Sequence, residues 1–208
     1  SSTPWVPAPE NWNRLDKRSA EKRPGPVRGP RAFIRKGEEL MAAIRLAGVI
    51  RESIVDGPGF RFVVFTQGCP HHCPGCQNPG THDPAGGYDG DTDRLFEEFC
   101  KNPLLAGMTF SGGDPFLQPL PLADLAHRVH EAGKTVITYT GYTMDYLLAH
   151  LEEQEGWREL LLGTDRLVDG PFIESLRSPL LHFRGSSNQR VLDPAASLAA
   201  GYPVEAEF

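Results

Sequence analysis

Three of the four cysteines lie within eight residues, in Gly68-Cys69-Pro70-His71-His72-Cys73-Pro74-Gly75-Cys76, a C-x3-C-x2-C spacing. Thiolates this close repel one another and need a cation to hold them, so a metal site is a better account of them than inert core packing or a disulfide framework. A tetrahedral structural zinc site wants four ligands, commonly from two separate pairs. The fourth cysteine, Cys100, sits on the apolar face of an expected helix and reads as a small core residue, so zinc would have to recruit His71 or His72. Three thiolates suit a 4Fe-4S cluster on Cys69, Cys73 and Cys76, with one iron left without a protein ligand and open to a small molecule. The glycines and prolines let the loop curl and aim backbone N–H groups at the sulfides. Zinc remains the competing assignment.

The elements that must carry this loop are legible in the hydrophobic pattern. Phe62-Val63-Val64-Phe65-Thr66 is a continuous apolar run of the kind buried on both faces of a sheet, and the cysteine loop follows it directly. Leu95, Phe96, Phe99 and Cys100 make one helical face behind Asp91-Thr92 as caps. Met108-Thr109-Phe110 reads as a second strand, ending in Ser111-Gly112-Gly113-Asp114-Pro115. Leu122, Leu125, Ala126 and Val129 then recur at amphipathic-helix spacing, with Gly133 placed to stop the helix. Thr135 to Thr140 is a third strand, running into Gly141-Tyr142; Thr143 caps a helix over Met144, Leu147, Leu148 and Leu151; Arg166-Leu167-Val168 is a fourth strand, ending in Asp169-Gly170.

Strand, loop and helix in repetition imply a parallel sheet, and ligands in such folds bind at the C-terminal ends of the strands. A full eight-unit barrel takes ~250 residues. With 208 residues the expectation is a partial or open barrel. Several strand-end motifs have a plain structural reading beside a functional one. Thr140-Gly141-Tyr142 and Asp169-Gly170 read equally as turns or as site residues, and Asp56-Gly57-Pro58-Gly59 is first of all a turn. Arg184 to Arg190, RGSSNQR, is either a polar hairpin or a donor-rich binding loop.

The remaining composition excludes more than it assigns. Hydrophobic residues make up 39% and charged residues 23%, which suits one globular core rather than a disordered or fibrous chain. No apolar run approaches the ~18 residues of a membrane span, and no secretory pattern opens the sequence, so the expectation is a cytoplasmic protein with no membrane partner. A net charge of −6 gives no reason to expect nucleic acid. That mean hides a split: residues 1–36 hold nine Lys/Arg and three acids, a net +6 that leaves −12 on the rest. Rich in proline and without an apolar period, residues 1–40 read as an irregular basic extension ahead of a domain over 41–208. Such an arm is either solvated or docks on an acidic surface.

Six motifs in order carry a resemblance. Asp56-Gly57-Pro58-Gly59, Cys73-Pro74-Gly75-Cys76, Ser111-Gly112-Gly113-Asp114-Pro115, Thr140-Gly141-Tyr142, Val168-Asp169-Gly170 and Arg184-Gly185-Ser186-Ser187-Asn188-Gln189 together resemble the radical S-adenosylmethionine superfamily. More narrowly they resemble its glycyl radical enzyme activases of the anaerobic ribonucleoside-triphosphate reductase activating family, across roughly Ile44 to Asp193. The resemblance implies a partial (β/α)6 barrel, one 4Fe-4S cluster, and S-adenosyl-L-methionine chelating the open iron. It implies ligand contacts at Gly75, Cys76, Gln77, Gly112, Gly113 and Asp114, with the Asp114 carboxylate accepting from the ligand's ammonium. It also implies reductive cleavage to a 5'-deoxyadenosyl radical that takes hydrogen from a glycine Cα of the anaerobic reductase, fed by a flavodoxin or ferredoxin type electron donor. No catalytic side chain is expected beyond the cluster and cofactor ligands. Gly75 replaces the aromatic common in the superfamily but fits the narrower family, while Gln77 stands where that family often has an aromatic, so adenine stacking is not carried over there. The other readings are an activase of a different glycyl radical enzyme, small-molecule radical chemistry, and a zinc-stabilised interaction module.

Overall fold

A computed structural model describes residues 43–208. The basic extension assigned to residues 1–40 lies outside the described residues.

The described residues build one mixed seven-stranded sheet in the order β3-β1-β2-β4-β5-β6-β7. Its strands are β1 (Ala43–Ser53), β2 (Phe60–Thr66), β3 (Tyr88–Asp91), β4 (Leu105–Gly112), β5 (Thr135–Tyr139), β6 (Arg166–Asp169) and β7 (Arg190–Leu192). The central four, β2, β4, β5 and β6, are parallel, as the strand–loop–helix repeat requires. The flanks are not: β1 pairs antiparallel with both β2 and β3, and β7 pairs antiparallel with β6. The expected parallel sheet holds for those central strands, and β1, which precedes Phe62-Thr66 and is not announced by the sequence pattern, runs against its neighbours. A short turn joins β1 to β2, and so short a connection can only reverse the chain.

Among the described residues five α-helices accompany the sheet: α1 (Thr92–Cys100), α2 (Pro119–Glu131), α3 (Met144–Ala149), α4 (Trp157–Leu162) and α5 (Pro194–Ala200). Their ends follow local chemistry. Asp91 caps α1 by accepting from the N–H groups of Asp93 and Arg94, and Thr143 caps α3 by accepting from Tyr146. Gly133, at φ 71°, follows the end of α2.

Packing is divided between the two faces of the sheet. Phe62 and Val64 of β2 join Leu95 and Phe99 of α1, Leu122, Leu125 and Val129 of α2, Leu147 of α3 and Leu160 of α4 in the main core. The alternate β2 residues, Val63 and Phe65, face the other way and pack with Ala47. The continuous apolar run is thus explained by burial on both sides. On that second face the Arg61 guanidinium is buried, donating to Thr109 Oγ1 at 3.2 Å, Thr135 Oγ1 at 2.7 Å, Met108 O at 2.5 Å and Thr135 O at 3.0 Å. Burial pushes its pKa down to about 10. Gly107 leaves the room it needs, since a Cβ there would lie 2.6 Å from Arg61 Nη1.

Cys100 corrects a sequence expectation. It closes α1 exposed to solvent, so the buried face of that helix ends at Phe99.

Candidate metal centre

The cysteine loop leaves the C-terminal end of β2 and is tied at its base. Gly68 N–H donates to Thr81 O at 2.8 Å, Cys69 N–H to His82 O at 3.1 Å, and Gln67 Nε2 spans to Gly80 O and Asp83 O at 3.1 and 2.6 Å. The loop's far side is a tight turn. Cys76 N–H donates to Cys73 O at 3.1 Å across Pro74 and Gly75. Proline in the second position and a glycine at φ 73° in the third are the type II arrangement, which a side chain at Gly75 would strain. Cys73 and Cys76 therefore stand at the two ends of one turn.

All three loop cysteines are free thiols and half-buried. Burial pushes the Cys69 thiol up, against the N–H groups of His71 and His72, which favour its thiolate. Asn78 N–H points at Cys76 Sγ from 3.4 Å. Among the described residues no group of three or more His, Cys, Asp or Glu is gathered to hold a single metal ion. A cluster spaces its thiolates more widely than one ion does, and three partly exposed soft donors with backbone N–H groups turned toward sulfur suit it chemically. By donor chemistry, the residues present fit the group.

The end of β4 packs against this loop. Gly113 N–H donates to Thr66 O at 2.8 Å and Asp114 N–H to Gly68 O at 2.7 Å. A Cβ on Gly113 would lie 2.1 Å from Gly68 O, and one on Gly112 2.6 Å from Phe65 Cα. The close approach that these glycines permit is an approach of the protein's own backbone.

Asp114 is 0% exposed. Its carboxylate accepts from Phe116 N–H at 3.0 Å, Gly141 N–H at 3.0 Å, Thr140 Oγ1 at 2.9 and 3.1 Å, and the His71 ring through Nε2 at 2.7 Å. These donors occupy about four acceptor sites, all that a carboxylate has. Gln77 is exposed. Tyr142, half-buried, meets the His71 ring edge-on at 4.5 Å and stacks on Tyr146 at 5.2 Å.

The other motifs separate into those near the loop and those away from it. Asp169 is buried, accepting from Met144 N–H at 2.7 Å and from Arg190, which makes it a strut between β6, α3 and β7. In the RGSSNQR segment Gln189 Oε1 accepts from Gly185 N–H at 2.7 Å and Ser186 N–H at 3.2 Å, while its Nε2 donates to Gly170 O at 3.0 Å. A pocket of about 620 Å³ lies beside this segment, lined by Phe183, Arg184, Gln189, Arg190 and Glu205 but by none of the three cysteines. Asp56-Gly57-Pro58-Gly59, read from the sequence first of all as a turn, lies away from the cysteine loop. It precedes β2, at the opposite end of that strand, where Asp56 O accepts from Thr109 Oγ1. The contact between His71 and Asp114 could not be read from the sequence, because the two lie 43 residues apart and nothing local announces it.

A loop of three free thiols at the end of a parallel strand is the layout of a small iron–sulfur domain. The family described as "4Fe-4S single cluster domain" matches residues 55–192. The anaerobic ribonucleoside-triphosphate reductase-activating proteins of Salmonella typhi and Escherichia coli K12 are each 35% identical to this chain, covering 66% of it and 91% of their own length. A pyruvate formate-lyase-activating enzyme of Clostridium pasteurianum is 38% identical over 47% of this chain and 44% of its own. The chain belongs to the 4Fe-4S single cluster domain family and to the family of the anaerobic ribonucleoside-triphosphate reductase-activating proteins.

Proposed function

We propose that this protein is a radical S-adenosylmethionine activase that generates a glycyl radical on an anaerobic ribonucleoside-triphosphate reductase. What carries the reading is the coincidence of three free thiols at one strand end with a family match across residues 55–192. Cys69, Cys73 and Cys76 would hold one 4Fe-4S cluster. With S-adenosyl-L-methionine bound, that cluster supplies one-electron reductive cleavage and, through it, hydrogen abstraction from the partner's glycine.

The protein's part is to bind, orient and exclude water. The turn at Pro74-Gly75 sets two thiols at a fixed separation, and the zipped base at Gln67, Gly68 and Cys69 fixes the third. Gly75, Cys76, Gln77, Gly112 and Gly113 border the loop, and in this reading they present backbone and polar groups to the ligand. Asp114 shapes the same border from below, because its carboxylate oxygens are already engaged by protein donors. The single helix layer on one sheet face supports reading the domain, residues 41–208, as a partial barrel wall with its other face toward the chemistry. No described helix is long and apolar enough to cross a membrane. A flavodoxin or ferredoxin type donor would supply the electron, in a cytoplasmic setting.

The similarity to a pyruvate formate-lyase-activating enzyme favours one second reading, activation of another glycyl radical enzyme. Anaerobic reconstitution tests both. A brown protein absorbing near ~400 nm that forms 5'-deoxyadenosine from S-adenosylmethionine and dithionite is expected, with loss on Cys69→Ser, Cys73→Ser or Cys76→Ser. Offering the two purified partner enzymes then separates the readings by which one gains the radical signal. A colourless protein holding one zinc ion would overturn them.

A further inference from the structure

We infer that Asp114 acts on the cysteine loop through His71, as a carboxylate–imidazole clamp that holds the Cys69–Cys73 span in place for the cluster. The inference rests on the reading of that loop as the cluster's, and it assigns His71 and Asp114 as positioning residues.

Three of the four donors to Asp114 come from the sheet end itself: Phe116 N–H, Thr140 Oγ1 and Gly141 N–H. They hold the carboxylate without help from the loop, in a place with no solvent exposure. The fourth donor is His71 Nε2, at 2.7 Å, and it is the loop's contribution. An ionised carboxylate only accepts, so Nε2 carries the proton in this pair. Hydrogen bonds to a buried charged acceptor are among the stronger ones.

The ring is closely packed. A Cβ on Gly141 would lie 2.3 Å from His71 Cδ2, and Tyr142 meets the ring edge-on at 4.5 Å. The span being held has few ties of its own. Pro70 has no N–H to give, and His72 sits at φ 45°, a backbone region that side chains disfavour. Among the described residues, the His71–Asp114 bond is the one side-chain hydrogen bond from Pro70–His72 to the sheet.

Hydrogen–deuterium exchange of residues 69–76, measured on the metal-free reduced protein, tests the clamp whether or not the loop takes a cluster. His71→Ala should speed exchange there by roughly tenfold or more, the scale of losing one charged hydrogen bond, while α2 and β5 stay protected. His71→Gln, whose amide can still donate to Asp114, should recover most of the protection. In the reconstituted protein, cluster loss to a chelator should follow the same order, fastest for His71→Ala. Exchange in His71→Ala within twofold of the parent would overturn the clamp. So would a His71→Gln variant that behaves as the alanine does, since ring packing rather than the hydrogen bond would then hold the loop.

Discussion

Arg190, the first residue of β7, closes on Asp169, the last residue of β6, with Nε at 3.1 Å and Nη2 at 2.5 Å from the two carboxylate oxygens. The carboxylate is 1% exposed and the guanidinium side chain 32%. Asp169 also accepts from Met144 N–H at the first turn of α3, so one buried charge joins two strands and a helix. The Asp169 hydrogen bond pushes the Arg190 pKa up, despite partial burial. Removing the cation leaves a buried carboxylate without its counter-charge. Arg190→Met should therefore lower stability by about 2 kcal/mol, discounted from the fully buried case because the guanidinium is partly in water. Urea unfolding of the two proteins at neutral pH measures it.

Asp56 gives a pH dependence of definite sign. Burial pushes its carboxyl above the ordinary Asp range, opposed by the hydrogen bond from Ser53. A raised folded pKa means that the folded state prefers the protonated acid, so this group's stabilisation is fully present at low pH and is lost as pH rises through the folded value. Asp56→Asn removes the charge at every pH. At pH 7 the variant should melt above the parent, and the gap should narrow steadily as pH falls toward 4. A gap that is constant or widens on acidification would contradict the burial argument. Parallel melting curves across that range, read by circular dichroism, are sufficient.

Cys100 is the other thiol, and its exposure fixes what its replacement does. Exposed at the end of α1, it fills no cavity. Cys100→Ser should change stability by no more than ~0.5 kcal/mol and leave iron uptake and 5'-deoxyadenosine formation intact. Thermal melting and iron analysis of the variant check both. The helical wheel misplaced this residue for a plain reason. Leu95 and Phe99 lie under α2 and the sheet, but the helix stops at Cys100, so the position that would share their face already lies at the helix end, in solvent.

The same reasoning separates what the sequence discloses from what it hides. α1, α2 and α3 were legible because their burial is periodic: Leu122, Leu125, Ala126 and Val129 are each fully buried at the spacing that announces them, whereas β2 was legible as one unbroken apolar run buried on both faces. β3, reading Tyr-Asp-Gly-Asp, has no strand-forming composition and exists only because β1 lies beside it. β1 carries Arg45, Arg51 and Glu52 among its apolar residues, which blurs any alternation, and β7 is only three residues long. At the site, the cysteine spacing is local and visible. The set of donors to Asp114 is assembled from positions 71, 116, 140 and 141, and only the folded sheet brings these together.

Gly113 has no room for a side chain. It sits where the end of β4 crosses the base of the cysteine loop, and an alanine Cβ would meet Gly68 O at 2.1 Å. The obstacle is backbone, held in turn by Asp114 N–H at 2.7 Å, so it cannot swing aside as a side chain would. Gly113→Ala must push the loop base away from β4, at a cost of ~1–3 kcal/mol for forced overpacking. Gly133→Ala is the matched control: its φ of 71° imposes ~1 kcal/mol of backbone strain, but a Cβ there meets nothing within 4 Å. Both variants should melt below the parent. Only Gly113→Ala should also lose iron on anaerobic reconstitution, because only there is the strain delivered to the strand end from which Cys69 departs. Equal iron retention in the two proteins would show that the base of the loop can shift without disturbing its thiols.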